Sequence, residues 1–146
     1  MNICPSRPRQ TGPAFVLMLV LFATGGLAHA GDPVVSLSVV NSGMTSWVID
    51  GADNPPLTLL RGRTYEFVMQ NVSAVHPFNI NTTNATGSAS QYNNGVTNNG
   101  ATGTQTLTFV VPANAPDSLH YNCGNHAAMN GPITIITDVI FASGFD

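Results

Sequence analysis

The sequence predicts an all-β fold, a single sandwich or barrel, on three observations. Residues 34–40 and 64–70 alternate apolar and polar side chains, as strands with one buried face do. Three later runs, at residues 105–111, 119–123 and 132–137, are rich in β-branched and aromatic side chains. Gly, Pro, Asn and Asp bound these runs at the close spacing that is typical of sandwiches and barrels.

Residues 1–30 are predicted to be a signal peptide. Two arginines precede an apolar run at residues 14–23, which is too short to span a bilayer, and residues 28–30 read Ala-His-Ala, the form of a signal-peptidase site. Export to the periplasm or the extracellular space is therefore expected. We predict one domain over residues 31–138 and a tail of unknown role over residues 139–146.

The charge of the remaining chain excludes one class of partner. Residues 31–146 contain two arginines, no lysine and seven carboxylates, hence a net charge of −5. A surface of this sign does not neutralise phosphates, so we expect no nucleic-acid partner. We expect no membrane insertion either, and a monomer.

Cys123 is the residue on which the functional interpretation turns. Removal of the signal peptide removes Cys4 and leaves Cys123 as the only cysteine, which excludes an intramolecular disulfide. In an oxidising compartment, a single cysteine is a reactive thiol, half of an intermolecular disulfide, or a metal ligand.

The neighbours of Cys123 favour the metal ligand. The stretch "CGNHAAM" places His126 and Met129 after Cys123 in a short loop between two predicted strands. Thiolate, imidazole and thioether together suit copper, because soft sulfur ligands favour Cu(I) and imidazole serves either oxidation state. The trigonal copper arrangement needs a second histidine, and His76, just past the predicted strand at residues 64–70, is the candidate.

With these residues the chain resembles the cupredoxins, small type 1 blue copper proteins of the plastocyanin and amicyanin kind. The stretch "PLTLLRGRTYEFVMQN" resembles the family's glycine turn and following strand, "HPF" its first histidine segment, and "YNCGNHAAMNGPITI" its ligand loop and closing strand. The resemblance covers residues 34–137 and implies a Greek-key sandwich. It implies one copper ion held by His76, Cys123, His126 and Met129.

Two departures from related patterns narrow the expected site. Pro77 follows the first histidine where many small cupredoxins have asparagine, and proline has no backbone N–H to donate toward the thiolate. "HPF" also resembles the multicopper oxidases, but Asn79, Asn81, Asn122 and Gly124 stand where those enzymes have histidine. We therefore expect one mononuclear site, no trinuclear cluster and no enzyme.

The resemblance implies a carrier of single electrons that cycles between Cu(II) and Cu(I). Electrons would pass through His126 at an apolar patch for which Ala127, Ala128, Pro132 and Pro112 are candidates. The acidic surface suits a basic redox protein such as a c-type cytochrome, or a copper-dependent oxidoreductase, as the partner.

Two other functions stay open at this point. One is copper storage, delivery or sensing without electron transfer. The other is a metal-free extracellular interaction module that binds through residues 81–103, an Asn-, Thr- and Gly-rich stretch predicted to form a long surface loop with at most a short hairpin. Strand alternation places His120 and Asn122 outward, so neither is expected to bind metal.

Overall fold

The computed structural model describes residues 33–137. The predicted signal peptide and the predicted C-terminal tail lie outside these residues. No described residue belongs to a helix that is long and apolar enough to cross a membrane. The described residues form ten strands: β1 (Val35–Ser42), β2 (Ser46–Ile49), β3 (Ala52–Asp53), β4 (Leu57–Leu60), β5 (Thr64–Met69), β6 (Phe78–Asn81), β7 (Val96–Thr97), β8 (Thr106–Val110), β9 (Ser118–Cys123) and β10 (Asn130–Ile136).

The strands form two sheets, which confirms the predicted all-β sandwich. Sheet 1 has the order β3-β2-β1-β5-β8-β7, and sheet 2 has the order β4-β10-β9-β6. Most neighbours are antiparallel, but β1 pairs with β5 and β4 pairs with β10 in parallel. The connection from β5 to β6 crosses from one sheet to the other, and it is this connection that contains His76.

The core lies between the sheets and is rich in aromatic side chains. Phe78, fully buried, contacts three other rings at centroid distances of 5.0 Å to Trp47, 5.3 Å to Phe67 and 5.7 Å to Tyr121. Edge-to-face and offset arrangements of this kind stabilise beyond the area they bury. These rings form a packed layer directly beneath the end of the sandwich that contains His76.

The predicted surface loop at residues 81–103 is wrong in part. Ala101 is fully buried, Tyr92 and Val96 pack against the core, and β7 pairs with β8. We call residues 82–100 the asparagine-rich segment. Its residues 84–91 cover the outer face of sheet 2 along the edge strand β6, and its strand β7 joins sheet 1. The outward prediction for Asn122 is also wrong, because this cover leaves Asn122 only 1% exposed.

Side-chain amides attach the asparagine-rich segment to sheet 2. Asn99 accepts from the backbone N–H of Ile80 (2.8 Å) and donates to the backbone oxygen of the same residue (3.1 Å). Asn81 donates to Asn122 (3.3 Å), which donates to Asn84 (2.6 Å). The free edge of β6 is thus satisfied by the amide of Asn99 together with backbone bonds with residues 92, 100 and 101, which blunts its capacity to pair with another chain.

Candidate metal centre

Three predicted ligands meet at one end of the sandwich. His76 lies in the connection between the two sheets, and Cys123 ends β9. His126 lies in the turn between β9 and β10, of which we call residues 124–129 the ligand loop. Because β9 and β10 pair up to Asn122 opposite Asn130, the ligand loop has to fold back within a few residues.

The side chains of these three residues face one another. The Sγ of Cys123 is 3.7 Å from the Nδ1 of His76 and 3.5 Å from the Nδ1 of His126. All three candidate ligand atoms lie within 4.8 Å of one another, and the imidazole centroids are 4.5 Å apart. Within residues 33–137 this is the one group of three or more His, Cys, Asp or Glu side chains close enough to hold an ion.

Burial favours the neutral, metal-binding form of His76. Cys123 is fully buried, His76 is 4% exposed, and His126 is half-buried. Burial lowers the pKa of His76, and the neighbouring His126 lowers the same pKa further. Both effects favour the neutral imidazole, whose unprotonated ring nitrogen is the form that binds a metal.

Met129 is fully buried in the same short loop. The backbone N–H of Cys123 donates to the oxygen of Met129 (2.8 Å), and the N–H of Met129 donates to the oxygen of His126 (3.1 Å). These two bonds close the ligand loop on itself between the three predicted ligands. The assignment of Met129 as a weak axial ligand stays a prediction, as do the ligand roles of the other three residues.

Packing beneath the ligand loop depends on a glycine. Tyr121 lies against Gly131, where a Cβ would collide with the Tyr121 ring and hydroxyl. The hydroxyl of Tyr121 donates to the backbone oxygen of Pro55 (2.7 Å), and Asn54 donates to the oxygen of Ala128 (3.1 Å). The ligand loop is therefore supported from below by the connection between β3 and β4.

Asn125 is a residue that the sequence analysis missed. Its backbone N–H donates to the Sγ of Cys123 at 3.5 Å, and its side chain donates to the backbone oxygen of Val75 at 2.8 Å. Nothing in the sequence marks an asparagine in a polar turn as different from the many others in this chain. Only the fold reveals that its partner is the residue before His76.

The apolar surface beside His126 differs from the predicted one. Ala127 and Ala128 are exposed, as expected, and Val75 adds a side chain that is 55% exposed. We call these three residues and His126 the His126 patch. The prediction that Pro112 belongs to this apolar surface was wrong. Pro112 follows Val111, which is bonded to Arg63 just before the start of β5, whereas His76 lies beyond the end of β5.

Pro132 was also a candidate for the apolar surface beside His126. It is exposed on β10, where it pairs with His120, and it does not lie in the ligand loop.

The residues that stand where multicopper oxidases have histidine lie on the outer side of sheet 2. Asn79, Asn81 and Asn122 are buried there beneath the asparagine-rich segment. Asn79 and Gly124 line an open cavity of about 260 Å³ that also touches Pro77. These side chains offer amides where a further metal would need imidazoles, which agrees with a single candidate site.

The donors present fit a copper ion. A thiolate and two imidazole nitrogens form a mixed sulfur and nitrogen set, which suits copper in either oxidation state. A zinc site would commonly add a fourth strong ligand. The fourth ligand predicted here is Met129, which offers a thioether sulfur instead.

Comparisons with known proteins support the fold. No family model and no curated protein matches the chain. Among solved structures, reduced rusticyanin is 20% identical, with a TM-score of 0.50 over 70% of this chain and 79% of that chain. A second structure, of the copper protein rusticyanin, is 20% identical, with a TM-score of 0.51 over 70% and 78%.

A third match is auracyanin from the photosynthetic bacterium Roseiflexus castenholzii, at 19% identity and a TM-score of 0.45 over 70% of this chain and 97% of that chain. Rusticyanin and auracyanin are cupredoxins. The two rusticyanin matches, together with the observed sandwich, show that the described residues have the cupredoxin fold.

Proposed function

We propose that the protein is an exported mononuclear type 1 copper protein that carries single electrons between redox partners. The observation that carries this proposal is the convergence of the Cys123 sulfur with two imidazole nitrogens at one end of a cupredoxin fold. Met129, buried in the same loop, is the proposed weak fourth ligand. Copper, when bound, supplies a couple that gains and loses one electron.

The chain contributes a site whose atoms need not move. His76 and Cys123 are buried, and the two internal hydrogen bonds of the ligand loop limit the movement of His126 and Met129. All four proposed ligands are protein side chains, which leaves no position for a substrate, unlike a catalytic metal site. We therefore propose an electron carrier and no enzymatic activity.

The His126 patch is the proposed docking surface for the redox partner. Its half-buried imidazole is surrounded by small apolar side chains, so a partner can approach closely without displacing charged groups. A net charge of −5 over residues 31–146 favours a partner with a basic face, such as a c-type cytochrome or a copper-dependent oxidoreductase. Because such encounters are electrostatically steered, their rate should fall with ionic strength.

Export is part of the proposal and rests on residues 1–30 alone. Their two arginines, short apolar run and Ala-His-Ala sequence match a secretory signal. N-terminal sequencing of protein recovered from the periplasm or the medium tests this, with Gly31 expected as the first residue. Recovery of an uncleaved chain from the cytoplasm would contradict it.

The visible absorption spectrum after addition of Cu(II) tests the copper site. We expect an intense thiolate-to-copper charge-transfer band in the wild-type protein and none in Cys123→Ala. His76→Ala should also lose the band, whereas His120→Ala, the matched histidine outside the cluster, should keep it. A colourless wild-type protein with copper available would remove the basis for electron transfer.

Electrochemistry then separates an electron carrier from a storage or delivery protein. A carrier should show fast, reversible one-electron voltammetry and should retain copper against a chelator. Irreversible cycling together with rapid copper loss would instead favour storage or delivery.

A further inference from the structure

We propose that Asn125 is a positioning residue that joins the two chain segments of the metal centre and donates the hydrogen bond to sulfur that Pro77 cannot. The inference rests on the proposed copper site. It assigns a role to a side chain that is neither a proposed ligand nor part of the His126 patch.

The first observation concerns the thiol of Cys123. Pro77 has no backbone N–H, so the residue after the first histidine cannot donate to the sulfur. The backbone N–H of Asn125 reaches the same sulfur at 3.5 Å from within the ligand loop. A hydrogen bond to a thiolate draws electron density away from it, and such contacts tune the reduction potential of a metal–thiolate site.

The second observation concerns the backbone on either side of the cluster. The side chain of Asn125 donates to the backbone oxygen of Val75 at 2.8 Å. Val75 directly precedes His76, and Asn125 directly precedes His126. One hydrogen bond therefore links the residues adjacent to both imidazoles, although they lie 50 positions apart in the chain.

A second bond runs parallel to the first. The backbone N–H of Gly124 donates to the oxygen of Pro77 at 2.8 Å. This approach is so close that a Cβ on Gly124 would lie 2.9 Å from the ring of Pro77. The backbone bond needs this close approach, and the Asn125 side chain holds the two segments at the distance at which it forms.

The consequence is a fixed separation between the two imidazole nitrogens whether or not the metal is present. Asn125 is exposed, and the bond from its side chain to Val75 lies at the surface, whereas the bond from its N–H reaches the buried sulfur. Removing the side-chain amide should therefore loosen the site without emptying the core.

Asn125→Ala tests the role, with Asn94→Ala as the control at an exposed asparagine remote from the cluster. Asn125→Ala should bind copper roughly 10–100-fold more weakly than wild type in competition with a chelator, as loss of a supporting hydrogen bond commonly does. Its charge-transfer band and reduction potential should shift. Asn125→Gln, which retains a donor, should recover part of the loss, and Asn94→Ala should match wild type.

Amide hydrogen exchange of Gly124 in metal-free protein gives a reading that is independent of copper. We expect faster exchange in Asn125→Ala, because the bond to Pro77 opens more often. Wild-type exchange, copper affinity and spectrum in Asn125→Ala would overturn the inference while leaving the proposed copper site intact. A wild-type protein without a charge-transfer band would instead count against the copper site, and the exchange of Gly124 would still decide whether Asn125 joins the segments.

Discussion

The ligand loop and the asparagine-rich segment are both irregular, but they are held in place by different bonds. The ligand loop is short and closes through backbone bonds between Cys123, His126 and Met129. The asparagine-rich segment is long and is attached by side-chain amides, above all that of Asn99, together with backbone bonds such as that from the N–H of Tyr92 to the oxygen of Ile80. The two regions meet in a backbone bond from the N–H of Gly87 to the oxygen of Gly124 (2.7 Å). Substitutions away from that bond should disturb one region and leave the other unchanged.

The largest effect on stability is expected from Asn99→Ala. The substitution leaves the N–H of Ile80 and the oxygen of Tyr92 without the amide that bonds them, whereas the oxygen of Ile80 keeps the N–H of Tyr92. At about 1–3 kcal/mol for each unsatisfied buried group, we expect a loss of about 2–4 kcal/mol in the free energy of unfolding. Denaturant titration measures this, with Asn94→Ala as the control.

The same variant tests the separation of the two regions. Its charge-transfer band should remain at the wild-type position, because the ligand loop does not depend on Asn99. A large change in the band would show that the two regions are coupled.

A smaller loss is expected from Gly131→Ala, at the base of the ligand loop. The added methyl group collides with Tyr121, and overpacking of this kind costs about 1–3 kcal/mol. Gly87→Ala in the asparagine-rich segment is the matched substitution: it meets no atom within 4 Å but requires a φ of +81°. We expect about 1–2 kcal/mol there, from backbone strain alone.

Thermal melts measure the loss of stability in the two glycine variants, and their copper spectra should differ. Gly131→Ala should alter the copper spectrum more strongly, because Gly87→Ala keeps the N–H that donates to the oxygen of Gly124. Equal spectra would mean that Tyr121 adjusts without moving the ligand loop.

Met129→Leu should leave stability nearly unchanged and alter the metal centre. The swap conserves volume and should cost less than about 1.5 kcal/mol. Loss of the thioether removes a donor that helps to stabilise Cu(II), so the reduction potential should rise. Voltammetry measures the potential, and Met44→Leu, at a side chain that is 64% exposed, should leave it at the wild-type value.

The fluorescence of Trp47 should report on the end of the sandwich that contains the candidate metal centre, and measuring it requires no substitution. It is the only tryptophan in the chain, is fully buried, and has no hydrogen-bond partner for its Nε1 within the described residues. We expect blue-shifted emission that Cu(II) quenches, because its ring lies 6.5 Å from that of His76. Emission typical of an exposed tryptophan, or no quenching in a protein that binds copper, would contradict this placement.

Five strands were predictable from the sequence because each has one apolar face and one polar face. β1, β5, β8, β9 and β10 fall within two residues of the predicted runs. β6 was missed because its sequence, Phe-Asn-Ile-Asn, alternates over only four residues, although all four are buried. No local pattern indicates that residues 84–91 cover its polar face.

The residues of the candidate site also differ in whether the sequence could predict them. Cys123, His126 and Met129 could be selected because they share one loop, and His76 only because the resemblance supplied the fold that brings it close. Asn125 could not be selected, since its role depends on the distance to Val75, which is set by the packing of two sheets.

The order in which the strands occur along the chain has a consequence for synthesis. Cys123 is shielded in the native state, but β10, which pairs with β9 and β4, is the last described strand. Until β10 is made and joins a parallel partner some 76 positions earlier, at Leu57 for Ile133, the thiol cannot be enclosed. Because pairings at long sequence separation form slowly, the nascent chain passes through a period when this thiol is open to oxidants. The rate of folding therefore sets how much of the protein keeps its sulfur intact for the proposed copper site.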